Sequence, residues 1–218
     1  MSGQERRDVP LYNKQIEKFE SHGESALNSI LRLGIENKIP LGIIRSGDRL
    51  CTKIDLAVRG EPATTIIEAL IKRIGAYRLR IKDDLLVIEP QFIPSSTAQL
   101  LATEIPLFSV GASTTQELEA ALLRFTKAVL RPAEGSAFSI LGSPDDPRTP
   151  AFQMRNVTVD EILNRIVKQD EGGAWILLPI PDDYKKSADR PFVKIINYSD
   201  KRAGERISCN DFPSTTLP

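Results

Sequence analysis

The sequence FQMRNVTVDEILNRIVKQDEGGAWILL, residues 152–178, predicts a strand, a capped helix and a second strand. Apolar and polar residues alternate up to Val157, as they do in a half-buried strand. Thr158 stands three residues before Glu161, which is the spacing of a capping box at the start of a helix. Apolar residues recur at helical spacing to residue 168, and two glycines end the helix before an apolar run. The polar residues of the helix are expected to face water: Asp160, Asn164, Arg165 and Lys168.

A similar order of elements occurs in the first half, at an offset of 96 residues. A strand at 53–59 leads into a helix that opens at Gly60-Glu61-Pro62 and ends at Gly75. An alternating strand from residue 77 then turns at Asp83-Asp84 into a strand at 85–89. Gly75-Ala76-Tyr77 corresponds to Gly173-Ala174-Trp175 in the second half. The shared order indicates an internal repeat.

The repeat predicts an α+β fold of two small modules, each with two helices packed on one face of a short mixed β-sheet. Other expected elements are a helix at 24–36 capped by Ser21, a strand at 104–110, a long helix capped by Ser113 or Thr114, and a strand at 137–141. The predicted divisions are a flexible arm (1–13), a first module (14–92), a linker (93–103), a more divergent second module (104–198) and an irregular tail (199–218).

The composition of the chain argues against several classes of protein. The 218 residues include 29 basic and 29 acidic side chains, and this zero net charge argues against a dedicated nucleic-acid-binding protein. No run approaches the roughly 18 apolar residues of a membrane span. The first residues lack the apolar segment of a signal peptide, so we expect a cytosolic protein or a mature exported form. Two cysteines are too few for a disulfide scaffold, and the sequence leaves open whether they pair.

The sequence offers no convincing catalytic, cofactor-binding or metal-binding residues. His22 is the sole histidine and lies beside a predicted helix start. The paired acids Asp83-Asp84, Asp145-Asp146 and Asp182-Asp183 all fall in predicted turns, where aspartate is favoured for local hydrogen bonds. Ser136, Ser139 and Cys51 have no nearby base in a recognised motif, and nucleophilic catalysis needs one. We therefore expect no enzyme, no cofactor and no small-molecule substrate.

Three segments carry a family resemblance: ALNSILRLGIENKIPLGII, KIDLAVRGEPATTIIEALIKRIGAYRLRIKDDLLVIEP and FQMRNVTVDEILNRIVKQDEGGAWILL. Their order of helices and strands resembles two copies of the short N-terminal module of secretins and TonB-dependent receptors. The resemblance implies a periplasmic or cell-envelope module that binds partner proteins or neighbouring subunits and has no catalytic residue.

The expected function is protein binding or self-association through the edges of the sheets. The hairpin 77–89 and the strand 192–198 are the candidate edges, because an edge strand leaves backbone groups unpaired. Alternatively, residues 11–13 and 207–212 cover these edges. A second possible function is nucleic-acid binding by an exposed strand Tyr77–Lys82. The expected partner-binding residues are Arg78, Arg80, Lys82, Leu86 and Ile88, with Ile81 beside them.

Overall fold

The computed structural model describes residues 10–130, 148–169, 172–178 and 192–199, together with Cys209. Within these residues the chain forms an α+β fold, which confirms the predicted class. The strands are β1 (Gln15–Ser25), β2 (Leu41–Ile44), β3 (Lys53–Pro62), β4 (Tyr77–Lys82), β5 (Leu85–Pro90), β6 (Glu104–Val110), β7 (Phe152–Thr158), β8 (Gly173–Leu178) and β9 (Phe192–Asn197). The helices are α1 (Ala26–Asn37), α2 (Ala63–Ile74), α3 (Ser95–Leu101), α4 (Thr115–Leu130) and α5 (Val159–Val167).

A five-stranded mixed sheet lies at the centre, with the strand order β4-β5-β2-β8-β9. β2 is parallel to both of its neighbours, whereas β4 with β5 and β8 with β9 are antiparallel pairs. Two further antiparallel pairs, β1 with β3 and β6 with β7, lie outside this sheet. All four residues of β2 are buried, as expected of a strand that is covered on both faces.

The two halves of the chain build the central sheet together, so the prediction of a separate sheet in each half is wrong. They meet where β2 pairs with β8, and Gly42 lies opposite Trp175. The physical reason is that a buried strand must pair its backbone groups at both edges. β5 satisfies only one edge of β2, and β8 satisfies the other.

The helices of the two halves cover opposite faces of the central sheet. α1 and α2 pack with Leu41 and Leu86 in one hydrophobic core. α3, α4 and α5 pack with Ile44, Val87 and Trp175 in a second core. Each half therefore packs its helices on one face, but the sheet beneath them is shared.

Matching backbone features support the internal repeat. Gly60 in β3 has a φ of +67°, and Asn156, which follows 96 residues later in β7, has a φ of +49°. At the start of α2, the N–H of Ala63 donates to the carbonyl of the residue that precedes β1. At the start of α5, the N–H of Val159 donates to the carbonyl of the residue that precedes β6. Both distances are 3.1 Å. The strand predicted at 137–141 in the second copy lies outside the described residues.

The segment 93–103 contains α3, so its prediction as a linker is wrong. Pro94 precedes the first helical residue, Thr97 and Leu100 are buried, and Leu100 belongs to the second core. Proline and serine suggest a loop, yet proline is also compatible with the first turn of a helix, where its missing N–H costs nothing. The short apolar pattern of α3 gave too little periodicity to reveal it.

The predicted helix caps are confirmed at α4 and α5, and the predicted cap of α1 is wrong. Thr158 and Glu161 form the predicted capping box, and Thr114 exchanges hydrogen bonds with Glu117 before α4. α1 begins after Ser25, whose side chain accepts a hydrogen bond from the amide of Asn28. The predicted cap at Ser21 is wrong because Ser21 lies within β1.

A disulfide joins Cys51 to Cys209, which are 158 residues apart, with 5.7 Å between their Cα atoms. Cys209 packs against the first core. The rest of the predicted tail beyond residue 199 lies outside the described residues, as do residues 1–9 of the predicted arm. None of the helices in the described ranges combines the length and the apolar character that a membrane span requires.

Candidate protein-binding edge of the central sheet

β4 forms one edge of the central sheet, and no described strand lies on its outer side. It is joined to β5 by Asp83 and Asp84, whose φ angles are +49° and +63°. Positive φ at both residues is the geometry of a type I′ turn, which matches the twist of a two-residue hairpin. The predicted tight turn and the predicted edge position of this hairpin are both confirmed.

The pairing with β5 determines which backbone groups of β4 point outward. In a two-residue hairpin the residues that flank the turn, Lys82 and Leu85, form a hydrogen-bonded pair, and such pairs alternate along the strands. The N–H and C=O groups of Tyr77, Leu79 and Ile81 therefore point away from β5. Among the described residues no strand pairs with these groups.

One face of β4 carries two arginines that share a single buried carboxylate. Arg78 Nη2 lies 2.7 Å from Glu89 Oε1, and Arg80 Nη2 lies 3.1 Å from Glu89 Oε2. The Glu89 side chain is 2% exposed, whereas the arginine side chains are 58% and 42% exposed. The carboxylate is paired as a buried charge must be, and the three residues together keep one net positive charge at the surface.

Lys82 continues this face and connects it to the second half of the chain. Its amine forms an ion pair with Asp160 Oδ2 on α5. Asn164 Nδ2 donates to Asp160 Oδ1 at 3.5 Å, and its own Oδ1 accepts the indole N–H of Trp175 at 3.0 Å. A chain of polar contacts thus links the surface of β4 to the centre of the sheet.

The predicted exposure of Asp160 and Asn164 is wrong, since they are 8% and 4% exposed. A buried indole N–H requires an acceptor, and Asn164 supplies it. Arg165 and Lys168 do face water, as predicted.

The other face of β4 is apolar and becomes more exposed toward the turn. Tyr77 is 5% exposed, Leu79 is half-buried against the first core and Ile81 is 49% exposed. The hydroxyl of Tyr77 donates to the carbonyl of Ser46 at 2.9 Å and accepts the N–H of Ser46 at 2.8 Å. Burial raises the pKa of this phenol, and the hydrogen bond from Ser46 only partly opposes the shift.

The structure brings three of the predicted site residues together and removes two from the site. Arg78, Arg80 and Lys82 lie on one face of the edge strand. Leu86 and Ile88 are fully buried on β5, which is the inner strand of the hairpin. Their prediction as partner-binding residues is wrong because neither side chain is exposed to a partner.

Glu89 and Asp160 complete the charged face, and neither was a predicted site residue. Glu89 follows the apolar run Leu85-Leu86-Val87-Ile88, and its position across the two-residue turn from Arg78 was a usable signal. Asp160 is separated from Lys82 by 78 residues, so no local pattern could have joined them.

β9 forms the opposite edge among the described strands, as predicted, but an acidic side chain lies against it. Glu119 on α4 accepts the backbone N–H of Ile195 at 2.6 Å through Oε1. Burial raises the pKa of Glu119 to about 7, against the opposing effects of Lys194 and the Ile195 N–H. Because Glu119 already uses a backbone donor of β9, β4 is the more open of the two edges.

The two segments that could cover these edges are residues 11–13 and 207–212. Leu11–Asn13 is a 3-10 turn that contacts α2 and belongs to no sheet, so it does not pair with either edge as a strand. The segment 207–212 lies outside the described residues except for Cys209.

The remaining candidate residues form no site in the described ranges. His22 is exposed at an irregularity of β1, where its pairing with β3 shifts register. No group of three histidine, cysteine, aspartate or glutamate side chains in these ranges is arranged to hold a metal ion. Asp145, Asp146, Asp182 and Asp183 lie outside the described residues.

No family model, curated protein or solved structure matches this chain.

Proposed function

We propose that this chain is a non-enzymatic protein-binding or assembly module that takes an extended segment of a partner protein as an added strand along β4. The observation that carries the proposal is the outer edge of β4, where the backbone groups of Leu79 and Ile81 point outward beside the surplus positive charge of Arg78 and Arg80. An added strand would satisfy these backbone groups, and the arginines would contribute to the choice of partner.

We also propose that the module works in a bacterial cell envelope. The disulfide between Cys51 and Cys209 supports this location, because disulfides persist in oxidising compartments such as the periplasm. The resemblance of the sequence to the N-terminal module of secretins and TonB-dependent receptors supports the same location.

Nucleic-acid binding by β4 is the less favoured proposal. It required an exposed Tyr77 that could stack on a base, and this expectation is wrong because the ring is buried and its hydroxyl is bonded to Ser46. Arg78 and Arg80 are also partly neutralised by Glu89.

A proline substitution at Ile81 tests the proposed binding mode. Ile81 forms a non-hydrogen-bonded pair with Leu86, so proline at this position removes an outward N–H and no bond to β5. Ile81→Ala is the matched control, because it also removes the isoleucine side chain but keeps the backbone N–H. Seven-residue peptides selected from a random display library on the wild-type protein serve as probes.

We expect the Ile81→Ala variant to bind selected peptides only a few-fold more weakly than the wild type does, because it loses apolar contact but no main-chain bond. The Ile81→Pro variant should bind them about tenfold more weakly than the Ile81→Ala variant does, because a main-chain bond is lost and its partner is left unpaired. Circular dichroism checks that both variants keep the fold. If the proline variant binds the peptides as tightly as the alanine variant does, the peptides do not add to β4, which would contradict the proposal.

A further inference from the structure

We propose that the strand accepted by β4 alternates acidic and apolar residues, with its acidic side chains beside Arg78 and Arg80 and its apolar side chains beside Leu79 and Ile81. This inference rests on the proposed function and specifies the chemistry of the partner.

The arginine face sets the acidic half of the pattern. Arg78 and Arg80 are two residues apart, so both side chains lie on the same face of β4. A neighbouring strand places side chains on that face at the same two-residue spacing, with Cβ atoms about 5 Å from those of β4. Glu89 neutralises one of the two positive charges, and the arginine side chains remain 58% and 42% exposed. An acidic residue in the added strand would balance the second charge.

The opposite face sets the apolar half of the pattern. Leu79 is half-buried against the first core, and Ile81 is 49% exposed beyond it. Apolar residues of an added strand, again two positions apart, would extend this core and cover Ile81. The outward N–H and C=O groups belong to the same two residues, Leu79 and Ile81. One added segment can therefore bond to these backbone groups and contact the side chains on both faces of β4.

Charge argues against a second copy of β4 as the occupant. Two β4 strands paired edge to edge would place the arginines of one copy next to those of the other on one face. Like charges directly opposite each other destabilise a pair of strands. Four arginines would then share only two buried carboxylates, so an acidic segment fits the edge better than a second copy does.

Three peptides of the same length test the pattern: Val-Glu-Val-Glu-Val, Val-Gln-Val-Gln-Val and Val-Lys-Val-Lys-Val, each with a fluorescent label. Binding to the purified chain is measured by anisotropy at low and high salt. We expect the glutamate peptide to bind about tenfold more tightly than the glutamine peptide, and the lysine peptide to bind most weakly. The advantage of glutamate should shrink as salt screens the exposed charges.

Two protein variants assign this preference to β4. Arg80→Gln leaves Arg78 to pair with Glu89 but removes the surplus charge, so the preference for glutamate should fall to about threefold or less. Arg59→Gln makes the same change of charge on β3, outside the central sheet, and should keep the full preference.

The outcomes separate the inference from the proposed function. If glutamate and glutamine peptides bind equally while binding still depends on the N–H of Ile81, the acidic pattern is wrong and strand addition stands. If Ile81→Pro has no effect on any peptide that binds, strand addition itself fails. If the wild type forms a dimer that Ile81→Pro dissociates, a second copy is the occupant and the acidic partner is wrong.

Discussion

Replacing Gly42 with alanine tests whether the two halves of the chain fold as one unit. A Cβ atom at Gly42 would lie 2.4 Å from Cζ2 and 2.6 Å from Cε2 of Trp175. Carbon atoms in contact are normally about 3.5–4.0 Å apart, so the indole or the backbone would have to move by about 1 Å. The indole is fully buried, and its N–H is bonded to Asn164, so it cannot move without losing that contact.

The expected loss of unfolding free energy is about 1–4 kcal/mol. Overpacking a well-packed core costs about 1–3 kcal/mol, and leaving Asn164 without its donor adds about 1 kcal/mol or more. The lower entropy of the unfolded chain returns about 0.4–1 kcal/mol when alanine replaces glycine. Gly111→Ala is the matched control, because a Cβ at Gly111 would meet no atom within 4 Å, and it should be stabilised by about 0.4–1 kcal/mol through the same entropy effect.

Urea unfolding followed by Trp175 fluorescence and by far-ultraviolet circular dichroism measures the effect. Because Gly42 and Trp175 belong to different halves, both signals should shift together in a single transition. The reasoning is refuted if Gly42→Ala is as stable as Gly111→Ala, or if the fluorescence transition stays in place while the dichroism shifts.

Three further predictions concern single features of the fold. Glu119 keeps its proton to a higher pH in the folded state than in the unfolded state, so its contribution to stability is full below about pH 4.5 and is lost as pH rises through about 7. Urea titrations across this range should show a loss of about 3 kcal/mol that Glu119→Gln abolishes, and identical slopes in both proteins would contradict the burial of this carboxyl. Replacing Cys51 and Cys209 with serine should lower the unfolding free energy by about 2–5 kcal/mol and so lower the melting temperature. The wild type should melt at that lower temperature only when reductant is present, and a wild type whose melting temperature does not respond to reductant would exclude the disulfide. Thr158→Ala should lower the unfolding free energy by about 1 kcal/mol by removing the cap of α5, and an unchanged urea midpoint would count against the capping box.

Local signals in the sequence predicted much of the secondary structure. The capping box at Thr158, the two-residue turn at Asp83-Asp84 and the alternating strand β4 all depend on residues within a few positions of one another. Such interactions are set by side-chain spacing and backbone preferences, which a single sequence displays directly.

Long-range contacts were the part that the sequence did not reveal. Nothing in the residues around Gly42 indicates that Trp175 will lie beside them, because the pairing of β2 with β8 is set by the burial of both strands in the folded chain. The same limit applies to Asp160 and Asn164, whose polarity predicted exposure and whose burial depends on Lys82 and Trp175. For the candidate site, the sequence located the edge strand and its arginines but not the carboxylate of Glu89 beneath them.

Hydrogen exchange of the β4 amides, measured residue by residue by NMR, tests the central claim most directly. In the free monomer the amides of Arg78, Arg80 and Lys82 bond to β5 and should exchange slowly, whereas those of Leu79 and Ile81 point outward and should exchange fast. Adding a peptide that binds should slow Leu79 and Ile81 and leave the other three unchanged. If Leu79 and Ile81 are already protected in the free monomer, or stay fast when the peptide is bound, β4 does not accept a partner strand.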